Sequence, residues 1–198
     1  MRPWPEDAPP AGVEVAVLRA HGSRVVWGEG NPAAATVGIL DNPGAREDPA
    51  GLPFVCGTRE TLRAAMAAAG LDEDGFYLTY LLKRRPRRAY DRPAAWAASL
   101  PLLRRQIGGI RPRLLICTGD TVAKALWGLG GQAAARRATM EDLPSSDASV
   151  RALRVRSDLR WEGWPAVVTY HPLAARRRPQ LLPLLIADLR EAGRRVRV

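Results

Sequence analysis

Four apolar runs of strand length punctuate the chain: ATVGILDN (35–42), FYLTYLL (76–82), RLLICTG (113–119) and WPAVVTYHP (164–172). Each is continuous rather than alternating, as in strands buried on both faces, and each stops at polar or turn-forming residues. Helical patterns lie between them. TRETLRAAMAAAG (58–70) opens at Thr58 or Glu60 and closes on Gly70 as a C-cap. AAWAASLPLLRRQIGGI (94–110) is predicted to break near Pro101, and DTVAKALWGLG (120–130) has Asp120 as a candidate N-cap. A last helix is expected from about Gln180 to Ala192. RVVWGEGNP (24–32) reads as a short strand or extended arm, 14–20 as a short helix or strand, and 130–160 as a hairpin or loop. This alternation predicts an α/β fold: a three-layer α/β/α sandwich around a central, mainly parallel four-stranded sheet.

With 198 residues, 46% of them hydrophobic, the chain can bury one sizeable core, so a single domain over 1–198 is expected, irregular at 1–12. No run of 18 apolar residues predicts a membrane span, and the Pro-rich start has no apolar stretch resembling a secretory signal. Cys56 and Cys117 are too few for a disulfide framework or a four-ligand metal site, and both sit in apolar surroundings. Buried free thiols in a cytoplasmic protein are the expectation. The net charge of +10 is weak evidence alone, because nearly all 30 Lys+Arg residues are arginine and the chain is rich in Ala, Gly and Pro, as GC-rich coding produces. Clustering says more. KRRPRRAYDRP (83–93) and HPLAARRRP (171–179) both follow apolar runs, which sets two basic clusters on one edge of a parallel sheet and points to a polyanion.

The same edge collects the polar groups that could do chemistry. The run at 35–42 ends on Asp41 and Asn42, then Pro43 and Gly44; the run at 164–172 ends on His171, one of two histidines. Taken alone, Asp41 or Asn42 could simply close an Asx-turn around Pro43, and a single histidine is more often structural.

Read in order, GEGNPAAATVGILDNPGAREDPAGLPFV, YLTYLLKRRP, RPRLLICTGDTVAKALWG and TYHPLAARRRP resemble the four motifs of the uracil-DNA glycosylase superfamily, above all its family-four branch. Together they span about residues 24–190. The resemblance implies a monofunctional DNA glycosylase of base excision repair, working as a monomer without cofactor or metal on DNA that carries uracil or another deaminated base. Asp41 stands where that branch has its glutamate, and Asn42 where the mismatch-specific branch has a water-positioning asparagine; Asp41 is favoured because the remaining match is to family four. His171 matches the histidine that stabilises the leaving base, Phe54 the aromatic that stacks on it, and Gly44 the point of close backbone approach. DNA contacts fall to Lys83, Arg84, Arg85, Arg87 and Arg88 and, in the loop after the histidine, to a Leu173 wedge with Arg176, Arg177 and Arg178.

Two departures stand out. Family four holds an iron–sulfur cluster on four cysteines, but here Arg84 replaces one, the region 94–106 has none and none precedes Cys56, so no cluster is expected. Packing, or arginine paired with Asp and Glu, has to hold that region instead. Tyr80 replaces the asparagine that reads the uracil edge, which leaves three outcomes: looser discrimination, preference for another deaminated base, or lost activity. The competing reading is a catalytically silent member of the fold that only binds DNA.

Overall fold

The apolar runs form the centre of a six-stranded sheet. A computed structural model of the chain describes residues 22–53, 57–128 and 158–197. The irregular start, the segment at 14–20, Phe54, Cys56 and most of the 130–160 stretch fall outside them. In chain order the elements are β1 (Gly28–Gly30), β2 (Thr36–Leu40), α1 (Glu47–Ala50), α2 (Gly57–Ala68), β3 (Phe76–Tyr80), α3 (Arg92–Ile110), β4 (Leu114–Thr118), α4 (Gly119–Trp127), β5 (Arg160–Trp161), β6 (Trp164–Thr169), α5 (Pro172–Arg177) and α6 (Leu182–Arg197). Short 3-10 turns precede β3 and α6. The strand order is β1-β3-β2-β4-β6-β5. The inner four, β3-β2-β4-β6, are parallel and correspond to the four apolar runs; β1 and β5 add antiparallel edges.

Those two edges are the departure from the expected four strands. β1 lies in the 24–32 segment read as a short strand or extended arm, whereas β5, at two residues, is too short to leave a periodic signal. β1 pairs with β3 through Gly28 and Gly30, both at positive φ, where an added Cβ would strike the Leu78 and Phe76 carbonyls. The hairpin between β5 and β6 turns on Glu162 and Gly163, both at positive φ, as a two-residue primed turn requires.

Alternate strand residues face two helical layers. Val37, Ile39, Leu115 and Cys117 pack with Leu103 and Ile107 of α3 and Val122 of α4. On the other face Leu114, Ile116 and Val167 pack with Leu62 and Met66 of α2 and Leu185 and Leu189 of α6. The three-layer arrangement follows from strands apolar on both faces, and each face needs its own cover. Among the described residues no helix is long and apolar enough to cross a membrane.

Pro101 does not break α3, which runs unbroken over 19 residues. The proline lies on the exposed face, so the Ala97 carbonyl left without a helical partner can be hydrated. Gly70 closes the α2 terminus as expected, at φ +72 with Gly70 N–H donating to the Ala67 carbonyl and Leu71 N–H to that of Met66. α4 starts earlier than its expected cap: Thr118 is the N-cap and Asp120 sits in the first turn.

The connections set the functional edge. From β2 the chain moves through α2 to β3 on one side, then through α3 to β4 on the other. The carboxyl ends of β2 and β4 therefore flank a topological switch point, where the outgoing loops diverge and leave a crevice. Thr118 Oγ1 donates to the Ile39 carbonyl at 3.0 Å and locks the two strand ends together.

Candidate active site

At this crevice β2 delivers Asp41 and β6 delivers His171. His171 Nε2 lies 3.4 Å from Asp41 Oδ1. The imidazole orientation has a local cause. His171 is the N-cap of α5, and its Nδ1 accepts the Leu173 backbone N–H at 3.1 Å. Pro172 at the first helical position has no N–H to satisfy and a φ suited to the turn. A histidine followed by proline is thus a self-contained cap, and it assigns the ring proton to Nε2, the nitrogen that faces Asp41. Gly119, at φ +81, lies beneath the ring; a Cβ there would sit 3.0 Å from His171 Cβ.

The Nε2–Oδ1 separation is long for a hydrogen bond, and Nε2 is buried with no closer acceptor among the described residues. The donor is held beside the carboxylate without being saturated by it. Burial raises the Asp41 pKa, but the facing His171 imidazole and the Asn42 N–H outweigh it, so the carboxyl is held below its ordinary range. Asp41 Oδ1 accepts that Asn42 N–H at 2.8 Å, while the Asp41 carbonyl accepts Leu82 N–H at 2.9 Å.

Of the adjacent acid and amide, Asp41 is the one beside His171. Asn42 folds back instead, its Nδ2 donating to the Pro43 carbonyl at 2.9 Å. Gly44 is half-buried, and Glu47 covers one side of it: a Cβ there would lie 2.6 Å from Glu47 Oε2. Phe54 falls outside the described residues. Tyr80, at the end of β3 opposite Leu40, is 2% exposed and packs with Val26 and Leu40. Tyr90 was missed by sequence reasoning, although it lies in the basic segment. Burial, with the Asp41 carboxylate adding to it and Arg92 opposing, raises its phenol pKa, which places Tyr90 within the field of Asp41.

The basic residues divide. Lys83 was expected at the DNA surface, yet it is buried, with Nζ bonded to Thr79 Oγ1, the Tyr80 carbonyl and Gln106 Oε1. Arg84 donates to the Ser23 carbonyl. Arg87 pairs with Asp48 at 2.7 Å, and Arg85 is half-buried while Arg88 is exposed. After His171, Leu173 is half-buried, a less prominent wedge than expected, and Arg176, Arg177 and Arg178 are exposed. The Arg176 guanidinium packs directly over Gly57 at the start of α2.

An iron–sulfur cluster does not fit this chain. Arg84 stands where a thiolate would be needed, Cys117 is fully buried in the core with burial raising its thiol pKa, and two cysteines cannot replace four ligands. Among the described residues no group of three or more His, Cys, Asp or Glu is gathered to hold a metal. The arm, α1 and the basic segment meet instead on Asp48, which is fully buried and accepts Arg24 N–H at 2.8 Å and Arg87 Nε at 2.7 Å. Because Arg87 stays partly hydrated, Asp48→Ala is expected to cost about 1.5–3 kcal/mol, the range for hydrogen bonds to a charged group. A denaturant midpoint within error of wild type would show that this carboxylate holds nothing.

A doubly wound sheet with an acid and an imidazole meeting at its switch point defines an α/β protein of the kind that works on a ligand at the strand ends. The chain belongs to the uracil DNA glycosylase superfamily, whose pattern it matches over residues 27–190. It is 32% identical over 166 residues to the type-4 uracil-DNA glycosylase of Pyrobaculum aerophilum, covering 83% of this chain and 79% of the relative. It is 31% identical to that of Archaeoglobus fulgidus (85% and 80% covered) and 26% identical to that of Thermotoga maritima (88% and 84% covered).

Proposed function

We propose that the protein is a monofunctional DNA glycosylase that hydrolyses the N-glycosidic bond of uracil, or of a related deaminated base, extruded from DNA. The observation that carries this reading is the approach of Asp41 to His171 at the switch point, with the carboxylate ionised and the imidazole proton on the facing nitrogen. Family membership narrows the chemistry such a pair would serve.

In this mechanism the C1′–N bond breaks with its electron pair going to the base, leaving oxocarbenium character on the sugar. The Asp41 carboxylate faces that positive charge and orients a water. As the water oxygen bonds to C1′, one of its protons passes to Asp41. His171 Nε2–H turns toward the negative charge growing on the base oxygen, which its loose contact with Asp41 permits. The base leaves as an anion and is protonated on release; an abasic site remains.

Exposed arginines supply the grip on the backbone. Arg177→Ala with Arg178→Ala is expected to lower the slope of log affinity against log salt by about 0.9 for each phosphate that the two side chains neutralise. An unaltered slope would remove this loop from the interface. The reading as a whole is tested on single- and double-stranded oligonucleotides carrying one uracil, hypoxanthine or xanthine, followed by alkaline cleavage. Strand scission at the modified position is the expected result. Tight binding with every base retained would favour the silent DNA-binding alternative.

A further inference from the structure

A water that attacks C1′ from a fixed direction needs a second anchor besides Asp41, and the nearest candidate is spent. Asn42 has turned its amide onto the Pro43 carbonyl at 2.9 Å and gives its backbone N–H to Asp41 Oδ1 at 2.8 Å. In the proposed mechanism His171 turns to the departing base. The second anchor has to come from another element at this edge.

The connection from β3 to α3 supplies one. It leaves the sheet tied to the catalytic strand end, with Leu81 N–H donating to the Leu40 carbonyl at 2.7 Å and Leu82 N–H to the Asp41 carbonyl at 2.9 Å. It ends where Asp91 caps α3, the side chain accepting Ala94 N–H at 3.0 Å. Because α3 runs from the carboxyl end of β3 back to the start of β4, its first turn lies at the catalytic edge. Tyr90, the residue before the cap, is half-buried and packs against the core layer that holds Ile39 of β2, Leu81, Leu82 and Ala95 of α3. Asp41 follows Ile39 by two residues at the same end of the sheet.

The Tyr90 hydroxyl suits the task. Burial raises its pKa, Arg92 opposes through charge and a hydrogen bond, and the Asp41 charge adds to the rise, so the phenol stays neutral at ordinary pH. The carboxylate is thus near enough to act on this group. A phenol oxygen that accepts from the Arg92 guanidinium presents its own proton as a donor.

Resting on the glycosylase reading, we propose that Tyr90 is a further catalytic residue, whose hydroxyl anchors the attacking water together with Asp41. The water gives one proton to Asp41, accepts the Tyr90 O–H on one lone pair and bonds to C1′ with the other. Tyr90 keeps its proton throughout. Tyr90→Phe retains the ring and its packing and loses only the hydroxyl. It is expected to slow single-turnover uracil release roughly 10-fold, with DNA affinity within about 2-fold of wild type. A second readout is the fate of the sugar in buffer containing methanol. Capture by water leaves an abasic site that alkali cleaves, whereas capture by methanol leaves a methyl glycoside that alkali does not cleave. Comparing strand scission with free uracil therefore gives the share captured by methanol, which is expected to rise at least about 3-fold when the water loses its anchor. Only protein that has turned over contributes to this ratio, so partial unfolding of the variant does not alter it. Full activity, complete loss, or a slower variant with the wild-type ratio overturns the proposal while leaving the glycosylase reading intact. A wild-type protein that releases no base from DNA overturns that reading and this inference with it.

Discussion

Asp41→Ala is expected to reduce single-turnover release of uracil from DNA by roughly 10³-fold while leaving DNA affinity within about 3-fold of wild type. The size follows from the two tasks the carboxylate would perform. General-base assistance contributes about 10²–10⁴-fold, and electrostatic stabilisation of a developing charge adds to it. The small effect on affinity follows from the proposed placement: Asp41 would be a negative group facing a polyanion, so its removal leaves every phosphate-binding group in place. Asp41→Asn sharpens the test, because it retains an acceptor for Asn42 N–H at nearly constant volume and loses only the charge. An alanine variant that still cuts within about 10-fold of wild type would exclude Asp41 as the base. Proportional loss of cutting and of binding would instead indicate damage to the fold.

The second large effect is at His171. Its replacement by alanine should lower the rate by about 10²–10³-fold, as for loss of a single donor to a developing anion, and should also change the shape of the pH profile. In the wild type, burial raises the Asp41 pKa but the facing His171 imidazole and the Asn42 N–H more than offset it, so the carboxyl titrates below its ordinary value. In the proposed mechanism the active form is the carboxylate. Activity is therefore present above that depressed pKa and is lost as pH falls through it. Without His171 the largest lowering influence vanishes and burial remains, so the acidic limb of kcat/KM should move to higher pH. A limb that stays in place, with the rate reduced, would mean that the two side chains do not sense one another in solution. A variant that also melts earlier would reflect the lost N-cap, since the Leu173 N–H depends on the same ring.

Which features could be read from residues alone depended on how local their causes were. The four inner strands were legible because each is a run of apolar side chains bounded by breakers, and both layers of helices followed from strands with no polar face. α3 was misjudged at Pro101 because tolerance of a proline depends on which face of the helix meets water, and that is set by neighbours. His171 was visible as a histidine before a proline at a strand end, but its cap geometry was not anticipated. Phe54 lies outside the described residues, and its role rests on resemblance alone.

The basic segment marks the limit most clearly. Lys83, Arg87 and Arg88 look alike as letters in a charged run. Lys83 turns inward to Gln106, 23 residues away, Arg87 reaches back 39 residues to Asp48, and Arg88 is left on the surface. Patterning and local turn chemistry act over a few residues, and they sufficed for the α/β class and for the strand ends that carry Asp41 and His171, while the roles expected of those two came from the family resemblance. Whether a cation is solvated, paired or sealed inside is decided by partners that only chain packing brings within hydrogen-bonding distance. So is the 3.4 Å meeting of Asp41 and His171 across 130 residues of chain, because the strands that carry them are not even neighbours in the sheet.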